Sequence, residues 1–186
     1  MTPDPTPSQT IGPFFHFALL QEGQPELVVP DHPSAFRIEG TIRDGAGEVV
    51  TDAMVEIWQA DGAGHYAHPE DDRESPPESF SGFGRCATDN DGKFAFVTVK
   101  PGPVPGLDGL DQAPHISVSV FARGLLDRLV TRIYFPDEEE ANAGDPVLAS
   151  IEDPDLRSTL VGRAVEGGLR FDIHLQGDRQ TAFFDV

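Results

Sequence analysis

Glycine and proline cut this chain into short pieces, and that punctuation constrains its fold more than any other feature. The 19 glycines and 17 prolines make up roughly a fifth of the 186 residues, against about 12% in an ordinary globular chain. Both weaken helix interiors, glycine through backbone entropy and proline through its missing N–H and its clash with the preceding turn. A helix bundle is thereby disfavoured, and short strands joined by turns are not. Hydrophobic residues still amount to 38%, enough for a core, so wholesale disorder is not expected.

Hydrophobic periodicity then locates the strands. Phe36, Ile38 and Ile42 alternate with Arg37, Glu39, Thr41 and Arg43, the spacing of a half-buried strand. Residues 54–58 read as a second strand. Residues 85–88 and 93–99 resemble a hairpin closed by Asp89-Asn90-Asp91-Gly92. Ile116, Val118, Val120 and Ala122 alternate with Ser117, Ser119, Phe121 and Arg123, and residues 129–135 are again β-rich. Phe171, Ile173 and Leu175 alternate with polar neighbours, and residues 181–186 could add an edge strand. Residues 137–142 and 155–165 are the better helix candidates. Two loops, over 60–82 and from 100 to about 114, are long enough to carry function. The pattern predicts one all-β sandwich domain over residues 1–186, with seven or eight short strands and one or two short helices. Its proline-rich start predicts an extended N-terminal arm over residues 1–20.

Charge and composition exclude several classes. Thirteen lysines and arginines face 32 acids, for a formal net charge of −19. Such a surface repels phosphate, so nucleic acid and anionic membranes are poor partners. The longest mostly apolar stretch, residues 14–20, is broken by His16 and falls short of the ~20 residues of a membrane span. Met1-Thr2-Pro3-Asp4-Pro5 lacks the basic start and apolar run of a secretory signal. Cys86 is the only cysteine, which rules out an internal disulfide and a zinc ribbon. A soluble cytoplasmic protein is expected.

Local motifs yield little chemistry. There is no G-x-S-x-G elbow, Walker loop, G-x-G-x-x-G or H-E-x-x-H. An EF-hand with Gly92 at its sixth position would need oxygen ligands where Ala87 and Thr98 stand, so a tight turn explains the Asp-rich tetrapeptide better. His65, Tyr66, His68, Asp71 and Asp72 cluster in one loop and could together hold a hard or borderline metal. An acidic loop also produces such a cluster by composition alone. His115 and His174 stand isolated and read as structural or exposed.

A longer-range pattern says more. In order along the chain stand Thr6-Pro7-Ser8-Gln9-Thr10-Ile11-Gly12-Pro13-Phe14, Val55-Glu56-Ile57-Trp58-Gln59-Ala60-Asp61, Gly64-His65-Tyr66, Gly82-Phe83-Gly84-Arg85 and Val99-Lys100-Pro101-Gly102. Ala113-Pro114-His115-Ile116, Phe121-Ala122-Arg123-Gly124, Thr131-Arg132-Ile133-Tyr134-Phe135 and Arg170-Phe171-Asp172-Ile173 follow. This ordered set resembles the intradiol ring-cleavage dioxygenases. The resemblance implies a β-sandwich that cleaves catechols with O2 at a non-haem ferric ion held by two tyrosinates and two histidines. Two of those four ligands map onto Tyr66 and His115, and the other two positions hold Val104 and Ser117. Valine offers no donor, and a serine hydroxyl replaces imidazole poorly.

Within the family, this departure resembles the α chains of heteromers that cleave 3,4-dihydroxybenzoate to 3-carboxy-cis,cis-muconate. The resemblance then implies no metal ligands and no catalytic residue in this chain. Fe(3+) would belong to a homologous β chain. Thr10, Gly12 and Pro13 would line the substrate pocket, and Arg123 would bind the substrate carboxylate, for which a guanidinium fork is suited. Two rivals remain: a self-sufficient metalloenzyme using His65, Tyr66 and His68, and a β-sandwich binding module without catalysis.

Overall fold

Where apolar and polar residues alternate, one face of each strand turns inward, and two such faces meet in this fold. The computed structural model describes residues 18–73, 80–106 and 109–185. In chain order the strands are β1 (Ala35–Arg43), β2 (Met54–Trp58), β3 (Phe83–Ala87), β4 (Lys93–Val99), β5 (Val104–Pro105) and β6 (Asp111–Gln112). They continue with β7 (His115–Phe121), β8 (Leu129–Tyr134), β9 (Arg163–Val165), β10 (Gly168–Arg170) and β11 (Ile173–His174). Short helices α1 (Glu139–Gly144), α2 (Pro146–Ala149) and α3 (Pro154–Ser158) stand between β8 and β9.

One sheet centres on β1, which pairs antiparallel with β4 and parallel with β10 and β11; β9 lies outside β10. A second runs β3-β2-β7-β8, all antiparallel, and β5 pairs with β6 in a small third sheet. Ile38, Ile42, Phe94 and Phe96 from the first face Val55, Ile57, Ile116, Val118 and Ile133 from the second, in one buried cluster. Gln59 crosses between the layers. Its Nε2 donates to the Val99 carbonyl at 2.9 Å and its Oε1 accepts from the Thr98 hydroxyl at 2.7 Å. The all-β sandwich expected from the sequence is what forms.

Several details differ from the sequence expectation. The described residues hold eleven short strands rather than seven or eight, and three complete helices rather than one or two. The 85–99 hairpin is an arch. Asp89 closes the turn through Oδ1, which accepts from Asp91 and Lys93 N–H at 2.9 Å, yet β3 pairs with β2 and β4 with β1. Because β2 claims one strand and β1 the other, β3 and β4 sit in opposite layers. The helix expected over 155–165 ends at Ser158, because residues 163–165 pair with β10 as an antiparallel strand. The strand through Phe171 splits into β10 and β11, since the Asp172 carboxylate takes the Thr41 N–H at 2.9 Å. The 181–186 edge reduces, within the described residues, to a single bridge from Phe184 to Val130. At the described end of the expected arm, Ala18 and Leu19 are helical rather than extended, in a run of good helix formers beyond the last arm proline. None of the described helices is long and apolar enough to cross a membrane.

Candidate functional site

The outer face of the β3-β2-β7-β8 sheet carries the polar constellation. Strand alternation sends Ile57, Ile116, Val118 and Ile133 into the core. Trp58, His115, Ser117, Arg132 and Tyr134 therefore come out on the opposite side. Register lines them up: Trp58 opposes Ser117, Ser117 opposes Arg132, and His115 opposes Tyr134. One row along, Glu56 pairs with Arg85 at 2.6 Å across β2 and β3.

Two loops complete the site. Tyr66 stacks on Trp58, ring centroids 6.0 Å apart and planes within 7°. Its backbone N–H donates to Asp71 Oδ2 at 2.9 Å, and Arg73 grips the same carboxylate at 2.6–2.8 Å. Gly64 brings this loop against the next one. It sits at φ +83°, and a Cβ there would stand 2.0 Å from the Pro103 carbonyl oxygen. A Cβ on Gly102 would likewise come within 2.7 Å of the Gly64 nitrogen. Only glycine permits that approach, and it sets Val104 beside Tyr66. Trp58, Tyr66, His68, Arg73, Val104 and Pro105 border an open cleft of about 590 Å³.

Behind the cleft lies a buried polar relay. Asp145 is fully buried and caps α2, accepting from the N–H groups of Val147 and Leu148. It also accepts from the Ala113 N–H at 2.8 Å and the Tyr134 hydroxyl at 3.1 Å. Arg132 Nη1 donates to that hydroxyl at 3.2 Å and to Gln112 Oε1 at 2.7 Å. Burial pushes the Tyr134 phenol well above its usual value, with Arg132 opposing. Burial also raises the Tyr66 phenol, and Arg132 and Arg73 pull against it. His115 is buried, and burial, with the Arg132 charge second, pushes its imidazole down to about 4. Its Nδ1 stands 2.8 Å from the Ala113 carbonyl. Because that oxygen only accepts, Nδ1 is assigned the proton of a neutral ring.

The four positions matched to iron ligands, Tyr66, Val104, His115 and Ser117, thus gather at one end of the sheet's outer face. Two of them carry the donors a ferric ion needs. Tyr66 offers one phenol oxygen and His115 one imidazole nitrogen. Val104 is buried with no donor atom. The set does not fit a ferric ion. Among the described residues, no group of three His, Cys, Asp or Glu side chains could hold a metal. In the His65–Asp72 loop, Asp71 is engaged by Arg73, and His68 Nδ1 accepts the Glu70 N–H at 3.2 Å.

Arg123 stands elsewhere. It follows the far end of β7 from His115 and forms an ion pair with Asp52, its side chain 80% exposed. Thr10, Gly12 and Pro13 lie outside the described residues. Arg132 and Asp145 were not singled out by sequence reasoning. The Asp145-Pro146 step was a readable helix-start signal, whereas only strand register reveals where Arg132 comes to lie.

Known proteins resemble this chain along most of its length. The Dioxygenase family model matches residues 14–177. The protocatechuate 3,4-dioxygenase alpha chain of Pseudomonas putida is 43% identical over 97% of this chain and 96% of its own. The protocatechuate 3,4-dioxygenase beta chain of Burkholderia cepacia is 37% identical over 77% of this chain and 65% of its own. Among solved structures, the dioxygenase domain of a carbohydrate-binding fusion protein from Streptomyces sp. SirexAA-E superposes with a TM-score of 0.57 at 27% identity, covering 94% of this chain and 99% of that one. Kinship along almost the whole chain, joined to the same sandwich, gives the family: the chain belongs to the intradiol ring-cleavage dioxygenases, among their alpha chains.

Proposed function

We propose that this chain is the iron-free subunit of a heteromeric ferric dioxygenase. The assembled enzyme inserts both atoms of O2 into 3,4-dihydroxybenzoate and yields 3-carboxy-cis,cis-muconate. A homologous beta chain holds the iron, and this chain shapes the substrate pocket. One observation carries the reading: the matched ligand positions gather at one end of one sheet face, yet Val104 and Ser117 leave that centre two donors short. The ferric ion would supply the activation of the bound catecholate toward O2. This chain would supply orientation and charge.

Arg123 is the residue proposed to grip the substrate carboxylate, with Thr10, Gly12 and Pro13 forming the wall. Arg123 follows Ser117 by six residues and His115 by eight along the chain, about 20 Å of strand or more from the donor-poor centre. Its exposed position supports a pocket completed by another chain. In a molecule of net charge −19, a guanidinium at the pocket also helps admit an anion. The lone Cys86 suits a reducing, cytoplasmic location.

Coexpression with a homologous beta chain, followed by iron analysis and oxygen uptake, tests the assignment. The complex should carry iron and consume O2 with protocatechuate, while this chain alone should hold far less than one iron and lack visible tyrosinate–iron absorption. One tightly held ferric ion per isolated chain, lost on Tyr66→Phe, would refute it. Arg123→Ala in the complex should raise KM for protocatechuate about 10- to 150-fold, the range for a charge-assisted carboxylate pair. Catechol, lacking the carboxylate, should lose much less, and iron content should not change. Equal losses for both substrates would assign Arg123 to assembly instead.

A further inference from the structure

We infer that Arg132 is a built-in cation that takes over the electrostatic place of the metal at the donor-poor centre, and that it keeps a metal out even when donors are restored. This rests on the reading that the chain holds no iron.

Position comes first. Arg132 opposes Ser117 directly across β7 and β8, on the same outer face. Ser117 is one of the two positions where a ligand is missing, so Arg132 stands on the strand beside the gap. Its fork is also committed. It donates to Gln112 Oε1 at 2.7 Å and to the Tyr134 hydroxyl at 3.2 Å, and the latter hands its own proton toward the buried Asp145 carboxylate. The guanidinium carbon sits 5.9 Å from the Phe184 ring centroid. A cation anchored through side chains on both sides is not a freely moving surface arginine.

Register and stacking bring both surviving donors to the same end of the face. His115 lies two residues before Ser117 on β7, and Tyr66 stacks on Trp58, which opposes Ser117 from β2. Arg132, Tyr66 and His115 thus share the neighbourhood of Ser117, and the arginine brings a permanent positive charge to it. A ferric ion entering it would meet a like charge in a partly desolvated site, where repulsion is screened far less than in water. Missing ligands and a resident cation are therefore two separate barriers, and removing the first leaves the second.

That separation can be measured on the full-length chain with ferric citrate as probe, reading iron uptake and the visible absorption of tyrosinate–iron. Four proteins are compared: the unaltered chain, Val104→Tyr/Ser117→His, and the same pair with Arg132→Gln or Arg132→Lys added. Glutamine keeps a donor toward Tyr134 without charge, and lysine keeps charge without the fork. Arg132→Gln should tighten ferric binding by about a hundredfold over the pair alone, and Arg132→Lys by less than about threefold. Equal affinity with arginine and glutamine, or no uptake by either, overturns the role of Arg132 and leaves the iron-free reading intact. Stoichiometric uptake by the unaltered chain overturns the iron-free reading itself, and this inference with it. If Val104→Tyr prevents folding, Ser117→His alone, with and without Arg132→Gln, reports the same contrast with zinc, because it places a second imidazole beside His115. A zinc affinity there that does not depend on Arg132 counts against the inference.

Discussion

Burial leaves its mark on individual side chains. His115 takes up a proton at its usual 6.5 in the unfolded chain but only at about 4 when folded. Between those values the unfolded chain binds more protons, so stability is complete above the unfolded value and falls as the pH drops toward the folded one. The loss from this ring should reach roughly 3 kcal/mol. Urea unfolding at pH 5 and pH 7 should show much of it, and His115→Gln should flatten the difference. A slope unchanged by that substitution would assign the acid sensitivity to other groups. Asp145 presents the converse case. Its carboxylate satisfies three backbone N–H groups and the Tyr134 hydroxyl. Asp145→Ala strands those donors in a buried place and should cost at least about 3 kcal/mol, read from the shift in urea midpoint. Neither effect depends on a partner chain.

At the scale of elements, the glycine contact between two loops organises the cleft. Gly64→Ala would force a Cβ against the Pro103 carbonyl at a φ that L-residues disfavour. A loss of about 2 kcal/mol or more is expected, together with separation of Tyr66 from Trp58. Trp58 is the only tryptophan, so its emission reports that stack directly. An unchanged spectrum in a folded variant would mean the loops do not need each other. Much of the element plan was legible beforehand. Met54–Trp58 emerges with the bounds its apolar run suggested, and Ile116, Val118 and Val120 turn inward as their alternation required. The 89–92 turn was also legible, but not what it joins. Asp-Asn-Asp-Gly closes a hairpin or an arch with the same hydrogen bonds, and only the faces chosen by distant strands decide which. The break at Asp172 depends on Thr41, more than a hundred residues away, and no local window contains it. The site divides the same way. Val104 and Ser117 could be placed by likeness to relatives, whereas Arg132 reads in sequence as an ordinary polar strand residue until register sets it beside Ser117.

For the whole molecule, the dominant electrostatic fact is a formal charge of −19. Self-repulsion of that size opposes compactness and is screened as the Debye length shrinks from about 30 Å at 0.01 M salt to about 8 Å at 0.15 M. The melting temperature should therefore climb over that range of sodium chloride, and a flat or falling profile would show that the acids are locally neutralised by their partners. The parallel pairing of β1 with β10 and β11 bears on biosynthesis. A strand near the start of the chain obtains its second neighbour only from the last few dozen residues. On a ribosome, β1 would wait with one edge unpaired for most of translation, a template for the wrong strand of another nascent chain. Closing so long a loop also slows folding. Such a protein stands to gain from a helper that shields the open edge, and loss of its C-terminal segment would leave an unfinished sheet rather than a slightly weakened one.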